Sequence, residues 1–250
     1  MTISAGDVVL VTGASGAIGF EIAAQAAEAG AVVAVHGSSA ESVADAIERL
    51  RACVANAQLI AAPADFRADG AIEAMVEKVA VEAGRIDAVI HCGITGASGV
   101  TGQIAKADPA NFGAHAALVL GSFQQLCFAA LPHLAVRGGT IIGFASDAGK
   151  FASPRQAIIG AAFGGIMTFV RNLALEVSRQ GVRVHCISPS FVADTPVFEA
   201  HAARAGAAFD RAGLGLPTPK DIAPMALFLC GPGAAKITGQ IISINGGLNA

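Results

Sequence analysis

The sequence predicts an α/β fold: a doubly wound parallel seven-stranded sheet with helices on both faces, forming a single domain over residues 1–250. Three observations carry this. Apolar runs of strand length alternate with alanine-rich, helix-period segments from end to end. The runs are mostly uninterrupted, as strands covered on both faces must be. With 54% hydrophobic and only 14% charged residues, 250 residues supply one large core.

Taken in order, the expected strands are Asp7–Thr12, Ala31–Val35, Gln58–Ala62, Ile86–His91, Thr140–Ala145, Val182–Ile187 and Gln240–Ile244. The helices between them are Ala17–Ala29, Ala40–Val54, Asp69–Ala83, Pro109–Ala135, Ser153–Arg179 and Pro219–Cys230. The less regular stretch Ser188–Pro217 is where this architecture often keeps a substrate lid. There is no repeat, low-complexity tract or linker.

A net charge of −3 without a basic cluster removes the footprint that nucleic acid or an anionic membrane surface would require. The apolar run Ile158–Val170 is shorter than the ~20 residues needed to span a bilayer and reads as a buried helix. The first residues show no charged start followed by an apolar stretch, so the expected address is the cytoplasm. The five cysteines, Cys53, Cys92, Cys127, Cys186 and Cys230, stand singly and read as buried reduced thiols. No metal is expected.

Between the first strand and the first helix lies Thr12-Gly13-Ala14-Ser15-Gly16-Ala17-Ile18-Gly19. In a Rossmann-type strand-turn-helix, Gly13 permits the tight turn, Gly16 lets backbone approach a pyrophosphate, and Gly19 allows close packing. The helix N-terminus offers free N–H groups to an anion. Gly13, Ser15, Gly16, Ile18 and Gly19 are therefore the candidate cofactor contacts, and the competing reading is a turn kept only for its geometry. The second strand ends Val35-His36-Gly37-Ser38-Ser39, with neither an acid for ribose hydroxyls nor an arginine for a 2′-phosphate. His36 is a candidate ribose contact or a solvated strand-end histidine.

With this turn, Asp65 after the third strand, Ser146 after the fifth, and Ile237-Thr238-Gly239-Gln240 followed by Asn245-Gly246-Gly247, the chain resembles the short-chain dehydrogenase/reductase family over essentially its whole length. The resemblance implies hydride transfer between a nicotinamide and a carbinol or carbonyl carbon. It also implies an adenine contact at Asp65 and a catalytic set of tyrosine, lysine, serine and asparagine. A phenol titrating near pH ~10 needs a cation beside it before it exchanges protons efficiently near neutrality.

That set is missing here. Registered on Ser146 and on Leu173-Ala174-Leu175-Glu176, the tyrosine position falls at Ile159 and the lysine at Phe163. The chain contains no tyrosine at all, so no shift of register restores one. The asparagine falls at Leu118. The family's Asn-Asn-Ala-Gly reads His91-Cys92-Gly93-Ile94, which sets Ile94 against a bound dinucleotide, and its Pro-Gly reads Pro189-Ser190. Ser146 is a remnant or simply a turn cap. NAD is the candidate cofactor, held weakly or not at all by this chain.

Other ionisable residues near the expected pocket are His91, read as a satisfied buried histidine, and Asp147, Lys150 and Arg155, read as solvated surface groups. Ile159, Phe163 and Leu118 are expected to fill the pocket. The small residues Gly160, Ala161, Ala162, Gly164 and Gly165 are expected either to admit a helix of another subunit or to pack against their own sheet. The leading expectation is a non-catalytic subunit paired with an active homologous dehydrogenase in a heterotetramer. Two alternatives stay open: a dinucleotide-sensing regulator, and an enzyme using an unusual proton donor.

Overall fold

The computed structural model describes residues 2–93, 99–196, 198–199 and 211–249. Seven parallel strands form one sheet: β1 (Val8–Thr12), β2 (Val32–Val35), β3 (Gln58–Ala61), β4 (Ala88–His91), β5 (Gly139–Phe144), β6 (Val182–Pro189) and β7 (Ile241–Ile244), in the order β3-β2-β1-β4-β5-β6-β7. Every strand falls within a residue or two of its expected run. The central strands are legible because valine and isoleucine occupy both faces: all of β1 and all of β4 are buried.

Helices cover both faces, which splits the core in two. On one side α3 (Ala71–Ala83), α5 (Ser122–Leu134) and α6 (Ala157–Val177) pack on Leu10, Val89, Ile141 and Val184. On the other, α1 (Ala17–Glu28), α2 (Ala40–Cys53) and α7 (Pro219–Cys230) pack on Val9, Val33, Ile90, Ile142 and Ile187. Local chemistry fixes the helix starts. Ser39 and Ser42 cap each other's backbone at the head of α2, and Thr218 with Asp221 does the same for α7, with Pro219 just inside it.

The fourth expected helix is interrupted. α4 (Ala110–Ala116) passes into a π-turn over Ala117–Gly121 before α5 begins. Leu118 sits in that turn, and its carbonyl accepts the Ser122 hydroxyl at 2.5 Å, a side-chain bond that competes with the helical ladder. The fifth expected helix starts at Ala157 instead of Ser153, because Pro154 and a left-handed Arg155 (φ 69°) delay it.

Three further expectations are corrected and a fourth is settled. Ala157–Gln180 runs 24 residues and Ala110–Leu134 runs 25, so each is long and apolar enough to cross a membrane, and the length argument from Ile158–Val170 fails. Here these helices lay Phe123, Leu126, Ile166 and Val170 on the sheet. Gly160, Gly164 and Gly165 make their close approaches within this chain. A Cβ at Gly160 would stand 2.5 Å from the Ala148 carbonyl oxygen, one at Gly164 3.4 Å from that of Gly149, and one at Gly165 2.8 Å from Leu120. Cys127 and Cys186 are buried, but Cys53 is exposed. Asp147 is not solvated at all: it is 1% exposed.

Candidate functional site

The strand order reverses beside β1, so the crevice for a ligand opens at the C-terminal ends of β1 and β4. Thr12 pairs with His91 across that switch point. The Thr12 hydroxyl lies 2.9 Å from His91 Nδ1 and accepts the Gly93 N–H at 3.3 Å. At Gly13 the chain turns with φ +69°, and a Cβ would come within 2.7 Å of Gly93. At Gly19 a Cβ would overlap the Gly13 carbonyl. Only glycine fits either place, and Ser15 lies against Gly37, where a Cβ would meet its hydroxyl oxygen at 3.3 Å. The turn delivers the N-terminus of α1, with Ala17, Ile18 and Gly19 as its first residues, to the crevice.

His36 is neither solvated nor free for a ribose. It is buried, its Nδ1 accepts the Gly13 N–H at 2.9 Å, and its Nε2 lies 3.0 Å from the Ala64 carbonyl. Since Nδ1 accepts, Nε2 carries the proton and donates. Burial pushes this imidazole down to about 4. Phe66 stacks on it at 4.4 Å, then on His91 at 6.0 Å, and His91 on Phe123 at 5.4 Å. His91 is fully enclosed, which holds its imidazole near 3, and Nε2 has no partner, so it is satisfied on one nitrogen only.

Asp65 is committed as well. Arg67 donates to it from its backbone N–H and Nε at 3.0 and 2.9 Å and from Nη2 at 2.8 Å. Those hydrogen bonds hold its carboxyl down to about 2.

Above the turn lies a cavity of about 500 Å3. The structure brings Gly13, Gly16, Ile18 and Gly19 together there with Ser146, Ile159 and Phe163. Leu118 and Asp65 are not among its described lining residues. Ile159 and Phe163 therefore line the cavity, half-buried, and do not fill it. Ser146 accepts the Ala148 N–H at 3.3 Å, capping the turn Asp147–Gly149. Pro189, Ser190, Phe191, Val192, Thr195, Pro196 and Phe198 close one side, so the irregular stretch after β6 does border the site. Ile94 lies outside the described residues.

Sequence reasoning missed the hub behind this wall. Asp147 accepts Ser188 Oγ at 2.9 Å, Ser243 Oγ at 3.0 Å and the amides of Asn245 and Asn249. Lys150, exposed, donates to Ser243 at 2.9 Å. The cue was faint: an acidic residue three places beyond the end of a buried strand.

The residues fit only part of a nicotinamide dinucleotide. Glycine turn and helix end suit the diphosphate. At the adenosine end both nitrogens of His36 are occupied and no side-chain carboxylate stands at the end of β2. At the other end Phe163 presents a hydrocarbon ring to the cavity. Among the described lining residues there is no Asp, Glu, Lys, Arg or His. The described residues alone do not match a complete dinucleotide.

Fold and site together define an oxidoreductase-type α/β domain with its phosphate turn intact. A family model described as enoyl-(acyl carrier protein) reductase matches residues 13–249, and the chain belongs to that family, among the short-chain dehydrogenases/reductases. It is 32% identical over 247 residues to 3-oxoacyl-(acyl-carrier-protein) reductase FabG of Chlamydia muridarum, covering 96% of each chain. It is 35% identical over 144 residues, 53% of this chain and 60% of the other, to the inactive 2-(S)-hydroxypropyl-CoM dehydrogenase 2 of Xanthobacter autotrophicus. A short-chain type dehydrogenase/reductase from Mycobacterium ulcerans superposes with a TM-score of 0.91 over 98% of this chain and 91% of its own, at 24% identity.

Proposed function

We propose that this chain is a non-catalytic subunit of a heteromeric, cytoplasmic, NAD-dependent short-chain dehydrogenase, in which an active homologous subunit does the chemistry. One observation carries the reading: Ile159 and Phe163 border the cavity at the positions of the family's proton donor and its cation, in a chain without tyrosine. Neither aliphatic nor aromatic carbon exchanges a proton or lowers the pKa of a group that does.

Two observations support a partner. Phe128 on α5 is 75% exposed and Leu175 on α6 is 77% exposed, so each long helix keeps a large apolar side chain in water. The inactive relative from Xanthobacter shows that the family holds chains named for lack of activity. The sequence also looks like the inactive subunit of the heterotetrameric dehydrogenase acting on 2-(hydroxy(phenyl)methyl)succinyl-CoA in anaerobic toluene breakdown, and we assign the partner a hydroxyacyl-CoA class of substrate on that likeness. NAD is then held by the partner and weakly or not at all by this chain.

Purification of the tagged chain from its native host tests this. The expected result is a second chain of similar mass, carrying the tyrosine and lysine, with dehydrogenase activity only in the complex. An ordinary dehydrogenase rate from the isolated chain overturns it.

A further inference from the structure

Two demands of the fold meet at adjacent residues just beyond β7. Gly246 turns with φ +65°, and a Cβ there would stand 1.7 Å from the Gly215 carbonyl oxygen, so no other residue fits. Position 245 needs a neutral donor. Asn245, 7% exposed, gives its Nδ2 to the buried Asp147 carboxylate while its Oδ1 accepts the Gly247 N–H at 3.0 Å. Together the two demands place asparagine before glycine, the pair in which the following backbone nitrogen is least shielded from the side-chain amide. Of Asn56, Asn111, Asn172, Asn245 and Asn249, only Asn245 precedes a glycine.

Such a pair carries a reaction of its own. The Gly246 nitrogen loses its proton and attacks Asn245 Cγ. The N–Cγ bond forms, the Cγ–Nδ2 bond breaks, and Nδ2 leaves with that proton as ammonia. Water then opens the succinimide ring at either carbonyl, which leaves an aspartyl or an isoaspartyl residue. One water enters, one ammonia departs, and nothing is oxidised or reduced. In the folded hub, Cγ reaches the Gly246 nitrogen only if Asn245 gives up its bonds to Asp147 and Gly247.

We propose that Asn245 is the site at which this chain deamidates, that the Asp147 hub keeps it unreacted while folded, and that conversion bars the hub from re-forming. The new carboxylate faces Asp147 where a donor stood, and two carboxylates at hydrogen-bond distance do not both stay ionised and buried. Asp147 also holds Asn249, whose amide reaches Ser190 on the cavity wall at 3.5 Å, so the damage runs from β7 to that wall. Unfolding thereby becomes one-way. The reaction proceeds from the open chain at a rate set by the open fraction, and its product does not return. Neither cofactor nor partner enters, so this inference does not rest on the proposed function.

The isolated full-length chain is held in mildly alkaline buffer, once folded and once in urea that unfolds it, and peptide mapping by mass spectrometry follows each asparagine. In urea Asn245 should convert fastest of them all. In the folded chain its rate should fall by about a hundredfold or more, because it reacts only when the hub opens. The urea sample is then diluted to refold it: chains converted at Asn245 should collect in the unfolded fraction while unconverted chains fold. Asp147→Asn, which weakens the clamp, should raise the folded-state rate by about tenfold. If that variant does not fold, the wild-type measurements decide. An equal Asn245 rate in folded and unfolded chain, a faster asparagine in urea, or converted chains that refold as readily as unconverted ones overturns the proposal.

Discussion

The imidazole of His36 holds the backbone of Gly13: its Nδ1 accepts the Gly13 N–H at 2.9 Å while its Nε2 donates to the Ala64 carbonyl at 3.0 Å. The end of β2, the phosphate turn and the loop after β3 are thus tied through one side chain. Replacing His36 with Leu leaves two buried backbone groups without partners. We expect a loss of about 2–4 kcal/mol in urea unfolding, against less than about 0.5 kcal/mol for a change at exposed Val81.

The same burial makes stability depend on pH. His36 and His91 fold with imidazoles held at about 4 and about 3, below 6.5 in the unfolded chain, so acid protonates the unfolded state first. Their contribution is complete above pH 6.5, falls as pH drops through the range 6.5 to 4, and flattens near 3. With each tenfold change in proton affinity worth about 1.4 kcal/mol, the loss amounts to several kcal/mol. Urea midpoints measured across this range should fall steeply in wild type and less in His36→Gln.

Asp147 predicts a local effect. Asp147→Ala strands the hydroxyls of Ser188 and Ser243 and the Asn245 amide. We expect about 3 kcal/mol of destabilisation, with amide exchange accelerating first in β7 (Ile241–Ile244).

Restoring the two missing groups should not restore chemistry. In Ile159→Tyr/Phe163→Lys, Leu118 still provides no relay and the end of β2 still carries no carboxylate. With NAD and a 3-hydroxyacyl substrate, turnover should stay below about a thousandth of the ~10 s−1 usual for enzymes.

Phe128→Glu and Leu175→Glu place charge on exposed apolar sites. We expect recovery of the partner to fall by about tenfold, while the isolated chain melts within ~1 °C of wild type.

Much of the fold was legible because buried parallel strands announce themselves as continuous runs of valine and isoleucine. The phosphate turn was legible because steric demand at Gly13 and Gly19 admits one residue type. The rest depends on contacts that sequence spacing does not encode. The π-turn at Leu118 comes with a Ser122 hydroxyl bonded to the Leu118 carbonyl, which the apolar pattern does not signal. Asp147 read as a surface residue because its partners Ser243, Asn245 and Asn249 lie about a hundred positions away. Gly160 and Gly165 left a surface for another subunit and packing within the chain both open, because smallness reports close approach without saying to whom. Ile159 and Phe163 were placed by register, but whether they filled the space or lined it depended on the backbone around them.

The pairing of Thr12 with His91 has a kinetic consequence. β1 lies between β2 and β4, and the two residues that meet at its end are 79 positions apart. Until β4 has been synthesised, one edge of β1 has no partner, and its row of N–H and C=O groups is open to any other strand. Parallel pairing at that separation closes slowly, because the loop entropy is lost before any contact is gained. Newly made chains therefore pass through a stage at which a chaperone, or an identical chain, competes with their own β4 for that edge.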